Sequence, residues 1–177
     1  MSVTPVALVV LSECIRDDAA ETLRYFRQQG VSLKIISGDN PATVAAIARS
    51  VGFEVDGGAD MRDVGDTADD VIEVVTRHSV FGRVSPQQKR SMVQALQSRG
   101  EIVAMTGDGV NDVLALKQAD IGVAMENGAP ATKAVAQMIL LDGRFSRLPS
   151  VLAEGRRVIA NVERVANLFI VKNAMSL

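Results

Sequence analysis

The sequence has little of several residue types, and each shortage excludes a class of protein. It contains one cysteine, Cys14, among 177 residues, which excludes an internal disulfide framework and a multi-cysteine metal site and suits a reducing compartment. It has no tryptophan and only 3% aromatic residues, so a base-stacking platform is not expected. Its 19 lysines and arginines are outnumbered by 21 aspartates and glutamates. Without a basic excess, we expect no nucleic-acid partner.

Long apolar runs and an N-terminal targeting pattern are also missing. No run approaches the roughly 20 apolar residues that a membrane-spanning helix needs. No lysine or arginine precedes the first apolar run, residues 6–11, so we expect no secretory signal. At 47% hydrophobic and 23% charged, the composition is typical of a globular domain that buries a core. Composition alone therefore predicts one soluble, cytoplasmic domain.

Short apolar runs rich in β-branched residues alternate with segments of helical period. Strands are predicted at residues 6–11, 31–37, 79–83, 101–105, 121–125 and 138–141, and helices at 17–29, 41–51, 69–77, 86–98, 112–118 and 131–136. Strands separated by helices need crossover connections, which give parallel pairs. The strands are apolar throughout, as is typical of a sheet covered on both faces. We predict a doubly wound, mostly parallel α/β sheet whose sites lie at the carboxyl ends of its strands.

The C-terminal segment, residues 148–177, differs from the rest of the chain. Apolar residues recur there at helical spacing up to Phe169, which predicts one long amphipathic helix. A denser apolar patch begins at Leu168. A C-terminal helix packed on the sheet is the alternative interpretation.

The first polar cluster follows the strand at 31–37. Asn40 is a good N-cap and Pro41 a good first residue for the next helix. Ser37 and Gly38 would present a hydroxyl and a free amide to an anion at that helix N-terminus. A capped loop without a ligand is the alternative.

The second cluster precedes the helix at 86–98. Ser85 and Gln88 are spaced as a capping box around Pro86. Lys89 then falls in the first turn, where a cation opposes the helix dipole. That placement makes sense if a bound anion offsets it, and a solvated surface lysine is the alternative.

The third cluster follows the strand at 101–105. Asp108 and Asp112 flank glycines in a strand-to-helix turn, and carboxylates four residues apart can reach one hard cation such as Mg²⁺. Asn111 could donate a hydrogen bond to a phosphate oxygen or a water. This is the strongest local signal in the sequence.

Together the three clusters supply the parts of a phosphoryl-transfer site except the nucleophile. Lys89 and a cation held by Asp108 and Asp112 would neutralise the charge of the transferring group while Ser37 orients it. A site of this kind usually needs an aspartate followed two residues later by Asp or Thr. None of the 13 aspartates has that neighbour.

The motifs resemble those of a known family. MTGDGVNDVLALKQADIGVAM, residues 105–125, resembles the hinge signature of P-type cation-transporting ATPases, which are members of the haloacid dehalogenase (HAD) superfamily. SGDN at 37–40 is similar to the family's TGD motif, and FGRVSPQQK at 81–89 to its lysine segment. GRRVIANVERVANLFIVKN at 155–173 resembles the stalk that leads into the fifth membrane helix. The motifs occur in the family's order across residues 6–175.

This resemblance implies a HAD-like Rossmannoid fold for the C-terminal part of a phosphorylation domain over residues 1–147, followed by a stalk helix over 148–177. It implies that Ser37 and Gly38 contact the phosphate and that Asp39 helps to place the nucleotide or the lysine. Lys89 would stabilise the aspartyl phosphate.

The resemblance also implies a metal and further segments of the same protein. Asp108 would bind Mg²⁺, and Asp112 and Asn111 would complete the metal and phosphate surroundings. The phosphorylated aspartate belongs to the family's DKTGT motif, which is absent here. The implied partners are the DKTGT-bearing strand, the nucleotide-binding and actuator domains and the membrane helices, with ATP as the substrate at the cytoplasmic face of a membrane.

Two segments depart from the family pattern. The family's DPxR reads Glu13-Cys-Ile-Arg16, so a glutamate stands in place of the family's aspartate. VNDAPALK reads VNDVLALK at residues 110–117. Lys117 and the opening Thr106-Gly107 are more similar to ATPases for Ca²⁺ or other light cations than to the heavy-metal branch.

Three functions follow as hypotheses. The first is a part of a P-type ATPase that has no activity alone. The second is a stand-alone phosphatase with an unusual nucleophile, and the third is a non-enzymatic module that assembles with a DKTGT-bearing piece. Because the family's nucleophile strand is central in its sheet, its removal would expose unpaired ladder groups. We therefore expect the isolated chain to be marginally stable, to form homo-oligomers, or to re-pair its first strand.

Overall fold

A computed structural model describes residues 6–7, 15–55, 57–65 and 67–174. In chain order the elements are α1 (Ala19–Gln28), β1 (Ile35–Ile36), α2 (Pro41–Ser50), β2 (Ala59–Asp60), α3 (Ala68–Arg77), β3 (Val80–Gly82), α4 (Pro86–Ser98), β4 (Ala104–Gly107), α5 (Val113–Gln118), β5 (Ile121–Met125), α6 (Pro130–Val135), β6 (Met138–Leu140) and α7 (Leu148–Ala174). Short 3-10 turns at Val110–Asp112 and Phe145–Arg147 precede α5 and α7. The predicted α/β class is confirmed.

All the described strand pairs are parallel, and they form two sheets. One has the order β1-β3-β2 and the other β4-β5-β6. The sequence predicted one sheet. Within the described residues the two sheets are separate, and β1 and β4 each lie at an edge. The predicted strand at 6–11 falls largely outside the described residues.

Helix starts follow the predicted caps. Ser85 Oγ accepts from the Gln88 amide at 3.2 Å, and the Gln88 side chain accepts from the Ser85 amide at 3.0 Å. This reciprocal pair satisfies amides that have no partner within α4. At α2, Asn40 Oδ1 accepts from the Ala42 amide at 2.9 Å. Both N-termini are therefore well determined. Helix α2 begins just after the loop that carries Ser37 and Asp39, and α4 carries Lys89 in its first turn.

Three strands differ clearly from the prediction because tertiary contacts decide their pairing. The strand predicted at 31–37 is reduced to Ile35–Ile36, the two residues that pair with β3. β2 lies in the polar stretch that was predicted as a loop, and it forms because Ala59 and Asp60 pair with Phe81 and Gly82 of β3. The strand predicted at 101–105 is shifted to Ala104–Gly107. The Val103 amide donates to the Asp120 carboxylate at 2.8 Å, so Val103 lies just outside the ladder.

Helix α4 connects the packing around the two sheets. Met92 belongs to a core cluster with Phe81 and Met61, whereas the next residue, Val93, packs in a cluster with Met105 and Leu116. All six are at most 9% exposed. One helix therefore contributes to the cores beside both sheets. This packing fixes the position of Lys89, which lies in the first turn of α4.

Helix α7 spans 27 residues, and only its beginning is fixed to the rest of the chain by the contacts described. The Tyr25 hydroxyl donates to the Pro149 carbonyl at 3.5 Å, and the Arg156 guanidinium donates to Gln29. Further along, apolar side chains are exposed, with Leu168 at 70% and Phe169 at 63%. The alternative of a helix packed on the sheet along its length is therefore wrong. The division into domains at 147/148 stays a prediction.

No helix in the part of the chain that the structure describes is both long and apolar enough to cross a membrane.

Candidate phosphoryl-transfer site

The loop after β1 presents exposed polar groups on a fixed backbone. Ser37 Oγ accepts from the Asp39 amide at 3.1 Å and donates to Asp39 Oδ2 at 3.1 Å. Gly38 and Asp39 are exposed, and a Cβ at Gly38 would meet no atom within 4 Å. The loop therefore leaves space for an anion beside the Ser37 hydroxyl and the Gly38 amide.

The end of β3 holds this loop in place, which the sequence did not reveal. The Arg83 amide donates to the Asp39 carbonyl at 2.8 Å, and the Val84 amide donates to the Ser37 carbonyl at 3.0 Å. Arg83 reaches this position with a φ of 52°, in the left-handed region that residues with a Cβ rarely adopt. Gly82 packs so closely that a Cβ would lie 2.4 Å from the Pro41 nitrogen. These two hydrogen bonds and the close packing thus fix the loop, and they hold Arg83 in its strained conformation.

Lys89 and Asp112 form a buried ion pair. Lys89 Nζ lies 2.7 Å from Asp112 Oδ1, and the two residues are only 9% and 8% exposed. Asp112 Oδ2 also accepts from the Gly109 amide at 3.2 Å. The anion that the sequence predicted near Lys89 is thus, in this structure, the Asp112 carboxylate. A buried lysine this close to the helix N-terminus is tolerable because it is paired.

Gly107 makes room for this ion pair. A Cβ at position 107 would lie 2.5 Å from the Asp112 Cβ and 2.9 Å from its Oδ2. Gly107 is the last residue of β4. Because it has no side chain, the Asp112 side chain can pack directly against the end of the strand. The glycine is therefore required by the close approach of the Asp112 side chain.

Asp108 and Asn111 lie on the exposed side of the same turn. Both are exposed, and among the described residues neither side chain has a hydrogen-bond or ion-pair partner. The Asp108 backbone, in contrast, is fixed, since its carbonyl accepts from the Ala129 amide at 2.7 Å. The 3-10 turn at Val110–Asp112 thus places the two aspartates in different environments, although their spacing suggested one shared cation.

The donor set of the turn suits Mg²⁺ better than a metal held by protein ligands alone. No group of three or more His, Cys, Asp or Glu side chains that could hold a metal occurs among the residues described. Mg²⁺ keeps several waters and typically binds one or two carboxylates together with substrate phosphate. An exposed Asp108 beside the paired Asp112 fits that pattern.

The structure brings some predicted site residues together and not others. Lys89 and Asp112 touch, and the loop at 37–40 is bonded to the segment that leads into α4. Within the described residues, no hydrogen bond or ion pair links the side chains of Ser37 or Asp39 to Lys89, Asp108 or Asp112.

An acidic and basic cluster at the end of β2 was not found from the sequence. Arg62 donates to both oxygens of Asp60, at 3.1 and 2.7 Å, and Arg83 Nε lies 3.8 Å from Asp60 Oδ2. The hydrogen bonds from Arg62 lower the pKa of Asp60 to about 2. The cluster follows from the pairing of β2 with β3, so no signal in the sequence pointed to it.

Comparison with known proteins places the chain in a family. A model described as haloacid dehalogenase-like hydrolase matches residues 1–120. The calcium-transporting ATPase CtpE of Mycobacterium tuberculosis (strain CDC 1551 / Oshkosh) is 56% identical over 174 residues, which are 98% of this chain and 22% of CtpE. The probable cation-transporting ATPase exp7 of Streptococcus pneumoniae is 45% identical, over 96% of this chain and 22% of exp7. The chain thus spans about a fifth of the length of these relatives.

Solved structures agree with these sequence relatives. A zinc-transporting PIB-type ATPase in its E2.Pi state matches with a TM-score of 0.67 and 27% identity, over 86% of this chain and 21% of that one. The catalytic domain of the CPx-ATPase CopB-B matches with a TM-score of 0.57 and 26% identity, over 75% of this chain and 43% of that one. The chain belongs to the haloacid dehalogenase-like hydrolases, and among them to the P-type cation-transporting ATPases.

Proposed function

We propose that this chain is the C-terminal part of the phosphorylation domain of an ATP-driven cation pump, with the start of its stalk. In the whole protein, a carboxylate oxygen of an aspartate outside this chain attacks the γ-phosphorus of ATP, and ADP leaves. Water then hydrolyses the acyl phosphate, and the cycle moves a cation across the membrane, with this domain at the cytoplasmic face. The observation that carries the proposal is the buried Lys89–Asp112 pair beside the exposed Asp108 at the end of β4.

Lys89 is proposed to stabilise the phosphorylated aspartate. Its ammonium group is buried, and the low dielectric around it would strengthen its attraction to a phosphate bound beside it. Asp112 holds Lys89 in place at 2.7 Å. The capping box at Ser85 fixes the helix turn that carries the lysine. Lys89 is thus oriented before any ligand binds.

Ser37, Gly38 and Asp39 are proposed to bind the phosphate and to help place the nucleotide. The Gly38 amide, and the Ser37 hydroxyl once it turns from Asp39 Oδ2, would supply donors for phosphate oxygens. Their loop is bonded to Arg83 and Val84 through its carbonyls, so the phosphate would meet a preformed surface. Preformed donors lose no orientational freedom when charge develops on the transferring group.

Asp108 is proposed to hold Mg²⁺, with Asp112 and Asn111 completing the metal and phosphate surroundings. The metal would neutralise charge on the phosphate oxygens. The Asp108 carboxylate has no competing partner among the described residues, which leaves its oxygens available.

The nucleophile is proposed to come from a DKTGT-bearing segment that enters between the two sheets. Within the described residues, β1 and β4 are edge strands of separate parallel sheets. Ser37 follows the end of β1, and Asp108 follows the end of β4. A parallel strand inserted between them would satisfy both edges and would deliver its carboxyl end to both loops.

The proposal can be tested in a chimera of CtpE in which this chain replaces the 174 aligned residues. Membranes that carry the chimera, incubated with γ-labelled ATP and Mg²⁺, should show an acid-stable, hydroxylamine-sensitive label, and Lys89→Met and Asp108→Asn should each remove most of it. Unchanged CtpE prepared in parallel controls for expression. An unlabelled chimera beside labelled CtpE, or full labelling of both variants, would contradict the proposal.

The two alternative functions predict other results. A stand-alone phosphatase would hydrolyse a generic phosphate ester with the 177-residue chain alone, and Asp108→Asn would abolish turnover. An assembly module without catalysis would bind a DKTGT-bearing piece, yet the pair would form no acyl phosphate. Failure of the chain to associate with such a piece would count against the pump as well, since the proposed site needs both.

We propose a light cation such as Ca²⁺ as the cargo. The observation that favours it is the higher identity to CtpE, 56%, than to the zinc-transporting structure, 27%. ATP hydrolysis by the whole protein should then rise with Ca²⁺ and not with Zn²⁺. Stimulation by Zn²⁺ alone would reverse the assignment.

A further inference from the structure

The turn between β5 and α6, residues 126–129, lies directly against the Asp108 backbone. The Ala129 amide donates to the Asp108 carbonyl at 2.7 Å. A Cβ at Gly128 would lie 3.1 Å from both the Asp108 Cα and the Asp108 carbonyl oxygen. These are backbone atoms, which cannot swing aside as the end of a long side chain can. Even one methyl group at position 128 must therefore displace Asp108 or the turn.

The turn itself is well supported. The Gly128 amide donates to the Met125 carbonyl at 3.0 Å, and the Glu126 amide donates to the Leu140 carbonyl at 3.0 Å. Thr132, with no exposed surface, donates through its hydroxyl to the Ala129 carbonyl at 2.6 Å. Because the turn is held on both sides, strain from a larger residue at 128 would fall on Asp108 as well as on the turn.

The strand register carries both loops to the same level. Gly107 of β4 pairs with Ala124 of β5, so Asp108, just after β4, lies beside Met125, the last residue of β5. This explains how a turn 20 residues further along the chain meets Asp108.

Asp108 depends on such support more than Asp112 does. Asp112 is held through its carboxylate, by Lys89 and by the Gly109 amide. The Asp108 carboxylate has no such bond in the described part of the chain, so its position is set by its backbone. We infer that Gly128 and Ala129 are positioning residues for Asp108, which set where its carboxylate meets Mg²⁺, an inference that rests on the proposed metal role of Asp108.

The positioning contact is testable in the 177-residue chain without metal, through hydrogen exchange of the Ala129 amide. Gly128→Ala should speed that exchange at least about fivefold, because the bond to Asp108 is stretched. Gly122→Ala, in the strand β5 that precedes the turn, is the matched control, since its Cβ would meet the Leu116 carbonyl at 2.7 Å, away from Asp108. The control should lower the melting temperature. It should leave the exchange rate of the Ala129 amide unchanged relative to the exchange rates of the β5 amides.

The functional consequence is testable in the CtpE chimera by the Mg²⁺ concentration that half-saturates phosphorylation. Displacing a ligand by a few tenths of an ångström in an oriented site weakens binding or catalysis several-fold. Gly128→Ala should therefore raise the half-saturating Mg²⁺ concentration about three- to tenfold and change the maximal level of phosphorylation little. Ala129→Pro, which keeps the observed φ of −57° and removes the donor, should act in the same direction. Gly122→Ala should leave it unchanged.

The outcomes separate this inference from the proposed function. Equal exchange rates at Ala129 in Gly128→Ala and the unsubstituted chain would overturn the positioning contact, whatever the chimera does. Faster exchange with an unchanged Mg²⁺ requirement would overturn the link to the metal. If Asp108→Asn itself left the Mg²⁺ requirement unchanged, the metal role of Asp108 would fail and the inference with it.

Discussion

The loops after β1 and β4 carry most of the candidate site residues, and they are held in opposite ways. The β4 loop has a buried ion pair between side chains, with Lys89 and Asp112 at 9% and 8% exposure. The β1 loop has exposed side chains, and backbone bonds from Arg83 and Val84 fix it instead. The β4 loop is therefore organised around its charges before a ligand arrives, whereas the β1 loop keeps the Gly38 amide exposed and pairs the Ser37 hydroxyl only within the loop, with Asp39. This division suits a site in which a lysine must be oriented and a phosphate must enter.

The largest effect is expected from breaking the ion pair. Asp112→Asn or Lys89→Met leaves a buried charge without its partner, which costs about 3 kcal/mol or more in the free energy of unfolding. Chemical denaturation of each variant measures this cost. The double variant should be more stable than the sum of the single changes predicts, because it leaves no unpaired charge. Additive costs would show that the pair does not organise the loop.

Alanine substitutions of the glycines in the two loops should have smaller effects on the free energy of unfolding, and these effects should differ between the loops. Gly107→Ala places a Cβ 2.5 Å from the Asp112 Cβ and should lower the free energy of unfolding by about 2 kcal/mol, in the range typical of overpacking. Gly38→Ala enters open space and should change it by less than about 0.5 kcal/mol, as is usual for surface substitutions. Equal costs at the two positions would remove the proposed difference between the loops.

The smallest effect concerns the Asp60–Arg62 pair beside the β1 loop. Hydrogen bonds from Arg62 lower the pKa of Asp60 to about 2, and a carboxyl titration followed by NMR should find that value. Arg62→Ala should raise the pKa toward the usual value of about 3.9. Since the folded pKa is depressed, any stability from the pair is present above about pH 4 and is lost as the pH falls towards 2. An unchanged pKa in the variant would contradict the assignment.

Much of this arrangement could be predicted from the sequence where local chemistry decides it. The bounds of α4 follow from the capping box at Ser85 and the glycine after the helix, and β5 from its apolar run; both were predicted to the residue. The candidate loops were found because glycine, aspartate and asparagine directly after apolar runs are rare without a turn or a ligand.

Long-range pairing decided the features that the sequence did not reveal. β2 is two residues in a polar stretch, and it is a strand only because Phe81 and Gly82 lie beside it. The four-residue spacing of Asp108 and Asp112 suggested one shared cation. The 3-10 turn between them buries Asp112 against a lysine 23 residues earlier in the chain. Nor could spacing show that the turn at Gly128 supports Asp108.

We propose that this chain supplies the lysine, the phosphate loop and the metal carboxylate but no nucleophile. The most direct measurement is incubation of the 177-residue chain alone with γ-labelled ATP and Mg²⁺, followed by acid precipitation. We expect no hydroxylamine-sensitive label on the isolated chain, and a label that appears when the chain is placed within CtpE. A hydroxylamine-sensitive phosphate on the isolated chain would contradict it.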